Sequence, residues 1–185
     1  MKNILMFGPP RSGKTTLSKM IVKEIPCYSV INTDVVRDGI YEAFFKSVDK
    51  KERKDIVKKA FPKFVSKILE DYKKFYNPDL YYVIEGDAIS IEESLKIFNS
   101  QEIEIICVGN PNIKPKDLFK RIRTNALKYG CWTEKYSDEE LLGRCKEFIK
   151  QSQKEEKIAK ENNLIYLDTS SNMNCLLECV ERLKS

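Results

Sequence analysis

Short, nearly continuous apolar runs recur along the chain and alternate with longer stretches whose apolar residues return every three or four positions. Ile4 to Phe7, Tyr28 to Ile31, Leu80 to Ile84, Glu102 to Val108 and Leu164 to Leu167 are runs of the first kind, and they read as strands buried on both faces. Lys14 to Glu24 keeps Leu17, Met20 and Ile21 on one side and Lys19 and Lys23 on another, which predicts a helix ending before Pro26. A second helical pattern begins at Asn32-Thr33-Asp34 and carries Val35, Ile40, Phe44 and Phe45. Asp49 to Lys74 is charge-rich, with Ile56, Phe64, Ile68 and Leu69 as its expected stripe and an expected interruption at Pro62. Its lysines read as a solvated face. Ile91 to Phe98, Pro115 to Lys128, Asp138 to Glu161 and Met173 to Leu183 complete the helices, the last with Leu176, Leu177, Val180 and Leu183 facing inward. Strands alternating with helices predict a parallel sheet covered on both faces, in a single domain spanning 1–185.

Composition narrows this picture. The apolar runs fall far short of the roughly 20 residues that cross a bilayer, and the apolar part after Met1-Lys2-Asn3 is too short for a secretory signal, so a cytoplasmic protein without a membrane partner is expected. The 33 basic and 28 acidic residues are interleaved, and their net charge of +5 fits a phosphate-bearing ligand better than a nucleic-acid stripe. The chain has no histidine, and its six cysteines show no C-x-x-C spacing. Imidazole metal ligands, histidine general bases and Cys-His dyads are thereby excluded. Nothing in the sequence sets the oligomeric state.

Gly8-Pro9-Pro10-Arg11-Ser12-Gly13-Lys14-Thr15 matches G-x-x-x-x-G-K-[ST] between a predicted strand and a predicted helix. In that setting backbone N–H groups wrap the phosphates of a nucleotide, and the helix adds the positive end of its dipole. Gly8 through Gly13 and then Lys14, Thr15 and Thr16 are the candidate binders of ATP, with Lys14 on the outer phosphates and the Thr15 hydroxyl on Mg²⁺.

With this loop the sequence resembles the small kinases of the P-loop superfamily. Asp34-Val35-Val36-Arg37 is similar to the D-x-x-R segment of polynucleotide kinases, zeta-toxin-like kinases and uridine-kinase-like enzymes. The resemblance implies that Asp34 is the base facing the acceptor hydroxyl and that Arg37 clamps the acceptor; capping of the following helix is the alternative for Asp34. Glu85-Gly86-Asp87 resembles the Walker B position of uridine and pantothenate kinases, which implies Glu85, with Asp87 in reserve, as the acidic group serving the metal. The helical pair around Tyr129 to Ser137 resembles a lid, at about 115–160, with Arg121, Arg123 and Arg144 as candidates to cover the transferring phosphoryl group. Arg121 and Arg123 are two apart, so only one of them is expected at the site. Gly130 and Gly143 are the small residues available as hinges, and Trp132 either covers substrate or anchors the loop. The segment Leu167 to Asn172 resembles the loop bordering the adenine base, with Ser171 or Asn172 expected to cap the last helix.

The fold implied by the resemblance is a three-layer α/β/α P-loop NTPase, its five parallel strands in spatial order 2-3-1-4-5. The activity implied is transfer of the γ-phosphoryl group of ATP to a hydroxyl of a small-molecule or nucleoside-like acceptor. A polynucleotide 5′-hydroxyl kinase and a non-catalytic ATP-sensing regulator are the alternatives. No D-G-[FY]-P-R segment is present, which argues against a nucleoside monophosphate acceptor. No N-K-x-D motif is present either, which argues against a GTPase.

Overall fold

The computed structural model describes residues 1–75, 77–98, 102–129 and 132–184. Gly130 and Cys131 lie outside the described residues. Strand β1 (Asn3–Phe7) leads through the glycine loop into α1 (Lys14–Glu24), and β2 (Tyr28–Asn32) leads directly into α2 (Thr33–Phe44). Helix α3 (Lys50–Phe75) precedes β3 (Tyr81–Glu85), followed by α4 (Ile91–Ile97) and β4 (Ile103–Gly109). Next come α5 (Pro115–Tyr129), a short 3-10 turn (Trp132–Lys135) and α6 (Asp138–Glu161), and then β5 (Ile165–Asp168) and α7 (Asn174–Lys184). The strands form one parallel sheet in the order β2-β3-β1-β4-β5, as expected. Its register pairs Met6 with Glu85 and Asn32 with the same Glu85, so the carboxyl ends of β2 and β3 finish level.

The described chain falls into two compact units. The first comprises Met1–Phe7, Lys14–Ile106 and Leu177–Ser185; the second comprises Gly8–Gly13 and Cys107–Leu176. In the first, Ile4, Leu5, Met6, Val83 and Ile84 fill the sheet's interior and Leu17 and Ile21 of α1 are fully buried, which is what continuous apolar strands require. The second contains a helical hairpin with a core of its own: Leu118 and Ile122 of α5 are buried with Leu141, Cys145, Phe148 and Ile149 of α6. Ser137 starts α6 with a capping box, its hydroxyl accepting from the Glu140 N–H while the Glu140 carboxylate accepts from the Ser137 N–H.

Several packing expectations need correction. The buried row of α3 is Val57, Phe61, Val65 and Leu69; Leu69 was expected there, whereas Ile56 and Phe64 are exposed and their neighbours Val57 and Val65 take the buried places. Helix α3 also continues through Pro62. Leu177 of α7, expected inward, is 58% exposed, and Cys179 takes an inward place beside Leu176 and Val180.

Candidate functional site

Site residues of the first unit gather where strands end. Asn32 closes β2 and caps α2, its side-chain oxygen accepting from the backbone N–H of Asp34 at 3.1 Å and of Val35 at 3.0 Å. Its amide donates to Glu85 Oε1 at 2.8 Å. Asp34 is therefore not the cap. It stands in the first turn of the helix, and its Oδ1 accepts from Arg37 Nη1 at 2.9 Å and from the backbone N–H of Asp87, also at 2.9 Å. No hydrogen bond reaches Asp34 Oδ2 among the described residues, and the side chain is half-exposed. One carboxylate oxygen fixes the group, and the other has no hydrogen-bond partner among the described residues.

Glu85 is buried at the end of β3. The Thr15 hydroxyl lies 3.4 Å from each of its carboxylate oxygens. A buried carboxylate beside a hydroxyl is a hard-oxygen pair of the sort that magnesium takes from protein when substrate phosphates and water supply its other ligands. Among the described residues no group of three or more acidic or thiol side chains could hold a metal ion. Asp87 has an exposed side chain and contributes its backbone N–H to Asp34. Between these two acids Gly86 has φ of +141°, and a β-carbon there would collide with the Thr33 hydroxyl, so only glycine lets the β3 edge pass the start of α2.

Arg37 is occupied by carboxylates. Its Nη1 bonds Asp34, and its Nε and Nη2 approach Asp38 at 3.0 and 2.9 Å. Burial lowers the guanidinium's pKa, but the hydrogen bond to Asp38 and the charges of Asp34 and Asp38 outweigh that effect and raise it. Lys14 opens α1 and is buried, while Thr15 and Thr16 are exposed on its first turn.

In the second unit the loop Gly8–Gly13 has Gly8, Pro9 and Ser12 buried and Pro10 half-buried. Gly13 has φ of +113°, a value open to glycine, but Arg11 holds φ of +66° with a full side chain. Among the described residues the buried Arg11 Nε and Ser12 Oγ have no hydrogen-bond partner. Two orphaned donors in a loop of this kind fit a phosphate acceptor. The Arg11 guanidinium lies over the ring of Trp132, 5.9 Å from its centroid. The Thr169 hydroxyl sits 2.8 Å from the Ser12 carbonyl oxygen and 3.0 Å from that of Gly109, tying the loop to the turn after β5.

Each candidate lid arginine has a partner. Arg121 donates to the carbonyls of Thr169 and Ser170, both at 2.8 Å, and burial lowers its pKa. Arg123 bonds Asp138 at 2.8 Å and the carbonyls of Thr133 and Tyr136, which staples the 3-10 turn to α5. Arg144 lies over the Tyr136 ring at 4.2 Å. Asn112, in the loop after β4, donates to Asp168 at the end of β5, and Asn172 accepts from the Asn174 N–H at the start of α7. The sequence reading missed the function of Asn32. Its signal is an asparagine between the last apolar residue of a strand and the first turn of a helix.

A parallel sheet in this order, with the glycine loop after its central strand, is the P-loop α/β fold. No family model matches the chain, and no curated protein matches its sequence. Solved structures do match. A gluconokinase from Sinorhizobium meliloti 1021 is 14% identical with a TM-score of 0.53, covering 99% of this chain and 95% of its own. A deoxyadenosine kinase from M. mycoides, solved with its products, is 17% identical with a TM-score of 0.50, covering 100% of this chain and 98% of its own. At these identities the likeness is one of fold, and it extends over the whole chain.

Proposed function

We propose that the protein is an ATP-dependent kinase that transfers a phosphoryl group to an alcohol of a small-molecule or nucleoside-like acceptor. The observation that carries this reading is Asp34: a carboxylate fixed through one oxygen by Arg37 and Asp87, with no hydrogen-bond partner at the other among the described residues, in the first turn of the helix that follows β2, whose last residue Asn32 bonds Glu85. Kinase folds among the solved matches support it as an analogy of fold.

The residues divide the work in this reading. Loop 8–13 and Lys14 hold the triphosphate through backbone N–H groups and one ammonium. Thr15 and Glu85 would hold Mg²⁺, which when bound screens the phosphate charge. Asp34 accepts a hydrogen bond from the acceptor hydroxyl through its open oxygen and receives its proton as the bond to phosphorus forms. Arg37 keeps that carboxylate oriented.

The test is acceptor dependence. ADP release is followed with ATP and Mg²⁺ over a panel of nucleosides, sugars, sugar acids, amino alcohols and oligonucleotides. A kinase speeds ADP release at least a hundredfold with one acceptor class. ATP binding with no acceptor-dependent release contradicts the reading and favours a nucleotide sensor, whereas transfer confined to oligonucleotide ends favours a polynucleotide kinase.

A further inference from the structure

Beside Asp34 the first unit carries a half-open cavity of about 300 Å³ lined by Arg37, Asp38, Tyr41, Arg53, Val57, Lys58, Asp87 and Ala88. Arg37 and Asp87 are the two residues that hold Asp34 Oδ1, so the cavity opens next to the proposed base. Val57 and Ala88 give it an apolar wall, and Tyr41 gives it an aromatic one.

The charges of this cavity are unequal in their commitments. Arg37 is saturated by Asp34 and Asp38, and Asp38 is in turn engaged by Arg37. Arg53 and Lys58 have no ion pair or side-chain hydrogen bond among the described residues. Arg53 Nε is buried without a partner, while its guanidinium lies over the Tyr41 ring at 4.9 Å. Stacking satisfies the face of a guanidinium but none of its in-plane N–H groups, and a buried donor without an acceptor costs free energy unless a ligand supplies one. Placement is deliberate as well. Arg53 lies four residues before Val57 on the row that continues through Phe61, Val65 and Leu69, so this cation occupies the buried face of α3.

We infer that the acceptor carries an anionic group, a carboxylate or a phosphate, seated on Arg53 with Lys58 beside it, while its hydroxyl meets Asp34 Oδ2. A planar guanidinium stacked on an aromatic ring is a preorganised fork for either anion. A neutral polyol would leave both cations without a counter-charge. This inference rests on the reading of Asp34 as the base, and its test separates the two claims.

The binding arm uses the Arg53 Nε–H resonance, assigned by its loss in Arg53→Gln. Inorganic phosphate and glycolate are titrated separately into the full chain without ATP. A saturable shift of that resonance with one or both probes is expected, and the probe that acts at lower concentration identifies the anion. A resonance unmoved by both overturns the anion seat. The turnover arm compares matched acceptors with ATP: a sugar acid against its parent sugar, and a sugar phosphate against the same sugar. The anionic member is expected to win, and Arg53→Gln should raise its KM about tenfold to a hundredfold with kcat little changed, Arg53→Lys recovering part of the loss. Preference for the neutral member, or an unchanged KM in Arg53→Gln, overturns the inference. A saturable shift without transfer to any acceptor upholds the seat and defeats the kinase reading.

Discussion

At the scale of single residues, the account depends on what each carboxylate can still do once its protein partners are counted. Asp34 spends one oxygen on structure and keeps the other, whereas Glu85 is buried between Asn32 and Thr15. In the proposed kinase reading, the Asp34→Asn variant keeps the shape but loses the charge that would deprotonate the acceptor. Transfer should fall about a hundredfold or more while ATP affinity holds. Since Asn32 is the cap of α2, helix stability should hold too, and circular dichroism melting checks it. Near wild-type transfer by this variant would remove Asp34 as the base. Replacing Glu85 by Gln should instead raise the Mg²⁺ concentration needed for half-maximal ATP binding about tenfold or more, measured by calorimetry at fixed ATP. Equal Mg²⁺ dependence would transfer the metal role elsewhere. Much of this was legible from residue types: the glycine loop, the acid after β2 and the acid closing β3 were all expected where they stand. Arg121 and Arg123 were not legible as structural ties, because their partners are mostly backbone carbonyls brought near by folding.

Elements show a different pattern of success and failure. Four of the expected strands end one residue later than their last apolar position, on Asn32, Glu85, Gly109 and Asp168. Hydropathy stops at the core, whereas the strand carries on to one further residue at the carboxyl edge, polar in three of the four, where parallel sheets place their chemistry. In α3 the apolar residues come in adjacent pairs, Ile56 with Val57 and Phe64 with Val65, and periodicity alone does not choose between the members of a pair. The structure buries the second of each. The missed row also hid Arg53, which a charge-rich helix presents as one more solvated cation. Two predictions belong to the hairpin of α5 and α6. Leu141→Ala removes a fully buried side chain from its core and should cost about 2–5 kcal/mol in denaturant unfolding. Gly143→Ala places a methyl group where no atom lies within 4 Å and should stabilise the protein by about 0.5–1 kcal/mol, while a fall in melting temperature would contradict an unstrained helical site.

For the whole molecule, the expected strand order and the likeness to kinase structures along the full chain agree, although identities of 14% and 17% leave the acceptor to be read from local geometry. Stability against pH offers a global check. Tyr28 is buried with its hydroxyl donating to the Lys2 carbonyl, and burial, with smaller contributions from neighbouring Cys27, Glu104 and Tyr81, pushes its pKa up to about 12. The Cys107 thiol is likewise pushed up to about 12, by burial first and by Glu155 second. Both groups are neutral in the fold and ionise more readily once unfolded, so the folded state binds more protons in the interval and stability declines as pH rises. For Tyr28 the decline should run from about 10 towards 12. Urea midpoints measured at pH 8 and above should drop across that window, and a flat profile would show that these side chains are not buried as described. The measurement closest to the central claim is transfer of label from γ-³²P-ATP to an alcohol acceptor, compared between wild type and Lys14→Ala. Labelled product from the wild type, absent in a folded Lys14→Ala variant with weakened ATP binding, is the predicted result. Equal ATP binding and equal labelling by the two proteins would contradict it.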